Sequence, residues 1–143
     1  VAFVSQDANV RKAVLGPHGM FGSDSLHTPE ALGMVHPRTY GAYPRYFAQY
    51  VREEGALRIE EAVRKATSTP AARFGLQDRG LVRPGLAADL VIFDLERIKD
   101  WATYQQPRLA SEGVVHVLVN GVVELKDGAP TGERAGKVLR SGR

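Results

Sequence analysis

The chain has 143 residues, 43% of them hydrophobic and 24% charged, which is the composition of one ordinary globular domain and argues against disorder. Nineteen Lys and Arg against sixteen Asp and Glu leave a net charge of +3, too small and too scattered to point to nucleic acid. The absence of cysteine excludes disulfides and thiolate ligands or nucleophiles and fits a reducing, cytoplasmic setting, and no apolar run approaches the roughly 20 residues of a membrane span.

Val1 to Ser5 reads as a short buried strand, so the chain is expected to begin inside a longer polypeptide. Gln6-Asp7 then caps a helix carrying Val10, Val14 and Leu15 at helical spacing until Gly16-Pro17 stops it. Met20 to Ser23 is expected to be the next strand, giving a β-α-β order and parallel pairing. A long loop follows from Asp24 to about Ala42, a length that is uncommon unless functional or disordered.

Pro44 suits the first turn of a helix bearing Phe47, Tyr50 and Val51, ended by Gly55. Ile59, Ala62, Val63 and Ala66 mark a further helix, with Glu60 and Glu61 in its first turn where the helix dipole favours acids. A short turn spans Pro70 to Gly75. From Leu81 the texture changes to short apolar runs, Leu90–Phe93, Val114–Val119 and Val122–Leu125. Asn120-Gly121 between two valine-rich runs is a strong hairpin signal, because both central positions of a type I′ turn need positive φ. The basic tail of Arg134, Lys137, Arg140 and Arg143 reads as a loose terminus.

The chemistry centres on Gly22-Ser23-Asp24-Ser25. Such a stretch is also an ordinary turn or helix cap, but Asp24 falls at the end of an expected strand, where β/α barrels carry their reactive groups. The four histidines, His18, His27, His36 and His116, include no H-x-H or H-E-x-x-H pair, so the chain lacks a complete zinc site. His27 and His36 stand out because both lie on the loop after Asp24. Arg38 could clamp a carboxylate bidentately or simply face solvent. Tyr40, Tyr43 and Tyr46 read as packing residues, Trp101 as a cover for the strand region, and Asp89 as a structural turn residue before Leu90.

Several segments together carry a family resemblance: Gly22-Ser23-Asp24-Ser25, His36-Pro37-Arg38-Thr39-Tyr40-Gly41-Ala42-Tyr43-Pro44-Arg45, Tyr50-Val51-Arg52-Glu53, Glu60-Glu61-Ala62-Val63-Arg64-Lys65, Ser68-Thr69-Pro70-Ala71 and Pro84-Gly85 through Ala88-Asp89-Leu90-Val91. Over most of its length, to about Gly128, the chain resembles the C-terminal third of the N-acyl-D-amino-acid deacylases, a branch of the metal-dependent amidohydrolase superfamily. The Ala-Asp-Leu-Val ending belongs to the whole superfamily, whereas the His-Pro-Arg loop followed by Tyr-Pro-Arg points to the deacylases.

The resemblance implies an α/β plus β fold: the last two β/α units of a distorted (β/α)8 barrel followed by strands of a small β-sandwich. Residues 1–78 would close the barrel and residues 79–143 would belong to the sandwich. It further implies that Asp24 is both metal ligand and catalytic acid–base, that Ser23, His36 and Arg38 line the substrate site, and that one or two zinc ions are held mainly by residues of a preceding segment. Without that segment the chain is expected to be inactive. The expected reaction is hydrolysis of an N-acyl-D-amino acid to a carboxylate and a D-amino acid. A cyclic-amide hydrolase of the dihydroorotase or hydantoinase kind, or a non-catalytic structural fragment, are the alternatives.

Overall fold

A computed structural model describes residues 7–26 and 35–140. The expected strand Val1 to Ser5 and the residue His27 lie outside the described residues. Helix α1 is Asp7–Leu15, α2 is Arg38–Tyr46, and α2 runs straight on into a π-helical stretch, Phe47–Glu53. Helices α3 (Ile59–Ala66) and α4 (Ser68–Arg73) follow. The strands are β1 (Leu90–Phe93), β2 (Val114–Val119), β3 (Val122–Lys126) and β4 (Ala129–Pro130).

The strands form one antiparallel meander in the order β1-β2-β3-β4. Its central turn is the predicted one: Asn120 and Gly121 take φ of 49° and 83°, both positive as a type I′ turn requires. Asp127-Gly128 repeats the device between β3 and β4, with φ of 51° and 79°. Asp89 is structural, its Oδ1 accepting the Asn120 N–H at 2.7 Å and its Oδ2 pairing with Arg79. The acid thereby ties the start of β1 to the hairpin turn beside it.

Two expectations need correction. Met20 to Ser23 is not a strand among the described residues. A strand exists only where a neighbour exchanges backbone hydrogen bonds with it, and here the Phe21 N–H is donated instead to Lys65 O at 2.9 Å. Pro44 does not open a helix either, because α2 begins at Arg38 and Pro44 lies inside it. Proline has no N–H for the carbonyl four residues back, and that carbonyl, Tyr40 O, accepts the Ser111 hydroxyl at 2.9 Å. A contact from far along the chain thus replaces the missing helical bond.

The core is aromatic and joins the helices to the sheet. Tyr46, Phe47, Ala48, Tyr50, Ala62 and Ile98 are buried, and Phe93, Leu95 and Val114 pack on them from the sheet side. Phe21 stacks on Tyr46 with ring centroids 4.1 Å apart and meets Tyr43 edge-on at 5.0 Å. Of the three tyrosines expected to pack, Tyr46 alone is fully buried, while Tyr40 and Tyr43 remain partly open to solvent. Trp101 stands half exposed under the Lys99 ammonium and donates its indole N–H to Glu112 at 3.3 Å.

Candidate active site

Asp24 sits at the end of a segment that is anchored at its base. Phe21 is held by the stacking just described and by Lys65 O, and the buried Lys65 ammonium donates to Gly16 O. One residue of α3 therefore fixes both ends of the approach to Asp24. Ser23 Oγ lies 3.0 Å from Ser25 Oγ, closing a local turn, and Asp24 itself takes a φ of 50°. Aspartate is among the few side chains that enter this left-handed region readily. Its carboxylate projects into solvent, with its side chain 87% exposed.

The second component comes from the start of α2. Arg38 Nη2 lies 3.1 Å from Asp24 Oδ2, so an acid and a guanidinium from the two described segments are brought into an ion pair. His36 supports it from beneath. Its Nδ1 accepts the Arg38 backbone N–H at 3.1 Å, one of the first-turn donors that a helix leaves without an internal partner. An accepting Nδ1 assigns the ring proton to Nε2. Partial covering of the ring, then the Arg38 and Arg45 guanidinium groups, lower its pKa, while Asp24 opposes them.

Beside these residues lies an open cleft of about 280 Å³, lined by His36, Arg38, Arg45, Asp100, Thr103 and Tyr104 among others. The Arg45 guanidinium meets Asp100 at 2.6 Å, and the Asp100 side chain is only 4% exposed. Tyr104 Oη lies 3.2 Å from His36 Nε2, its ring edge-on to the imidazole.

The structure thus brings Asp24, Arg38 and His36 together, while Ser23 is engaged in its own turn. His18 is exposed, and His116 caps the β3–β4 turn by accepting the Asp127 N–H at 3.2 Å. Sequence reasoning missed Arg45 as the partner of Asp100, and Asp100 and Tyr104 altogether, because their signal is tertiary: they lie more than fifty residues beyond α2. Among the described residues, no three His, Cys, Asp or Glu side chains converge on a point that could hold a metal ion. The donor set at this site is a single exposed carboxylate, suited to be one ligand of a hard or borderline cation whose other ligands come from elsewhere.

The model of the amidohydrolase family matches residues 16–123, which include every element of this site. The chain belongs to the amidohydrolase family. An N-acyl-D-glutamate deacylase of Alcaligenes xylosoxydans xylosoxydans is 41% identical over 140 residues, 98% of this chain and 28% of the relative. A D-aminoacylase structure, described for the functional role of its binuclear metal centre, superposes with a TM-score of 0.88 at 39% identity over 94% of this chain and 28% of that one. An N-acyl-D-glutamate deacylase from Bordetella bronchiseptica, complexed with zinc and a phosphonate mimic of the tetrahedral intermediate, gives a TM-score of 0.77 at 38% identity over 87% and 27%. Similarity to dihydroorotases is shorter, 34% over 84 residues and 59% of this chain for that of Lactobacillus johnsonii. The chain thus spans little more than a quarter of the length of its deacylase relatives. No helix among the described residues is long and apolar enough to cross a membrane.

Proposed function

We propose that this chain is the C-terminal part of a metal-dependent hydrolase of N-acyl-D-amino acids, in which residues 1–78 complete a (β/α)8 barrel and residues 79–143 a small β domain. The observation that carries the reading is the Asp24–Arg38 pair, a carboxylate able to hold a cation and move a proton beside a guanidinium able to hold a substrate carboxylate. The longer similarity to deacylases than to dihydroorotases favours linear over cyclic amides. The proposed location of the enzyme is the cytoplasm.

Asp24 is the residue of this chain that would hold zinc, and a bound zinc ion supplies a water acidic enough to be deprotonated near neutral pH. The chemistry left to the chain is proton traffic and orientation. Asp24 accepts the proton of the attacking water and returns it to the departing amine, a general-base then general-acid role that needs one carboxylate within hydrogen-bond reach of both atoms. Arg38 presents two parallel N–H donors to the α-carboxylate of the substrate, which fixes the amide over Asp24. Substrate binding would then replace the Asp24–Arg38 pair and release the acid for its work.

Two variants of the full-length enzyme test this. Asp24→Asn should lower kcat by about 10²- to 10⁴-fold, measured with N-acyl-D-amino acids. Arg38→Met should raise KM by roughly 10- to 100-fold for those substrates, and leave an N-acyl amine without the carboxylate unaffected. A parental rate in Asp24→Asn, or preferential turnover of a cyclic amide, would remove the assignment.

A further inference from the structure

We infer that Tyr104 is a positioning residue for this site, holding His36 so that His36 in turn sets Arg38 against Asp24. The inference deepens the proposed function and rests on the roles given there to Arg38 and Asp24.

The contacts form an unbroken series. Tyr104 Oη lies 3.2 Å from His36 Nε2, His36 Nδ1 accepts the Arg38 backbone N–H at 3.1 Å, and Arg38 Nη2 lies 3.1 Å from Asp24 Oδ2. The directions are mutually consistent. Because Nδ1 accepts, Nε2 bears the ring proton and donates it to the tyrosine oxygen, so one neutral tautomer satisfies both neighbours. The bond at Nδ1 already restrains rotation about Cβ–Cγ, and the second bond at Nε2 narrows the ring to a single orientation. The edge-on packing of the Tyr104 ring, with centroids 5.2 Å apart and planes 78° apart, reinforces that orientation.

The segment bearing Tyr104 is itself fastened to α2 at three further places. Asp100 pairs with Arg45 and sits so close to Gly41 that a Cβ there would overlap its carboxylate. Arg108 Nη1 donates to Tyr40 Oη at 3.4 Å, and Ser111 Oγ to Tyr40 O at 2.9 Å. Residues 100–111 thus dock as a unit along α2, and Tyr104 is the member of the unit that reaches the residue touching Arg38. A segment of the small β domain thereby orients the substrate clamp of the barrel. Tyr104 is 46% exposed, so its alteration need not disturb the fold.

The test uses the full-length protein and two independent readings. Tyr104→Phe keeps the ring contact and removes the hydroxyl. With N-acyl-D-amino acids it should raise KM roughly three- to tenfold, the worth of one hydrogen bond, with kcat little changed and the melting temperature held. In a His36→Ala background the same change should raise KM less, since Tyr104 acts on Arg38 through His36. Independently of any turnover, ¹⁵N spectra of the imidazole should show the Nε2–H tautomer of His36 in the parent. On Tyr104→Phe the Arg38 side-chain signals should shift, while Trp101→Phe leaves them in place. A KM within twofold of the parent, or an equal effect with and without His36, would overturn the inference. If no N-acyl-D-amino acid is turned over, the proposed function falls and the spectra alone decide the positioning role, unchanged Arg38 signals counting against it.

Discussion

Gly41 shows how narrow the tolerance around the site is at the level of single residues. It lies on the face of α2 pressed against Asp100, and a methyl group there would collide with the Asp100 carboxylate, Oδ1 and Cγ first. Asp100 cannot retreat without leaving Arg45 and the Ala102 N–H, which it accepts at 2.8 Å. Gly41→Ala is therefore expected to destabilise by about 1–3 kcal/mol, the ordinary range for overpacking, and chemical denaturation of the variant beside the parent measures it. Tyr46 supplies a second residue-scale expectation. Burial, with Glu61 adding and Arg64 opposing, pushes its phenol up to about 12. Between pH 10 and about 12 the folded phenol keeps its proton while the unfolded one, with an ordinary pKa near 10, gives it up. The folded state then holds more protons, so stability is complete below pH 10 and declines as pH rises through that window. Tyr46→Phe should lessen the slope of melting temperature against pH there, and an unchanged slope would show that the phenol does not contribute.

At the scale of elements, α2 explains why part of the structure was legible in the sequence and part was not. The Asn120-Gly121 hairpin could be read directly, because a type I′ turn is decided by two adjacent residues. The apolar spacing of α3 could be read for the same reason, its cause lying within two turns of helix. Pro44 misleads because it ordinarily opens a helix or stops one, and its place inside α2 depends on a hydroxyl at Ser111 that answers the Tyr40 carbonyl. Met20 to Ser23 misleads in the same way, since strand character needs a paired neighbour and the described residues provide none. In the site, Asp24 and Arg38 emerge from motif resemblance, but the service of Asp100 and Tyr104 to α2 is invisible until the chain is folded. The Pro44 account can be checked by coupling. Ser111→Ala should cost about 1 kcal/mol, and nearly nothing in a Pro44→Ala background, where the backbone N–H gained at that position can reach Tyr40 O. Equal costs in both backgrounds would break the link between the two residues.

At the scale of the whole molecule, the question is what keeps the helices and the sheet in register, since residues on both sides shape the cleft. The aromatic core contributes through Phe47 and Phe93, whose rings lie 5.1 Å apart. Apolar contact alone, however, is non-directional, and orientation must come from polar contacts. Arg52, at the end of the π-helical stretch, provides them: its Nη1 donates toward Leu95 O at 3.1 Å, Glu96 O at 3.3 Å and Ile98 O at 2.5 Å, all in the turn that leaves β1. Its side chain is 21% exposed, so these charge-assisted bonds are largely sheltered from competing water. Arg52→Met keeps much of the apolar stem and strips the donors, leaving three carbonyls of one turn without their shared partner. The expected loss is about 2–3 kcal/mol. Lysine should restore part of it, because all three bonds come from one nitrogen and an ammonium also carries three donors. The local reading is amide hydrogen exchange: protection should fall in the turn after β1 and in the 100–111 segment before it falls in α3. A uniform loss across helices and sheet would mean that Arg52 stabilises the core in general rather than coupling its two sides.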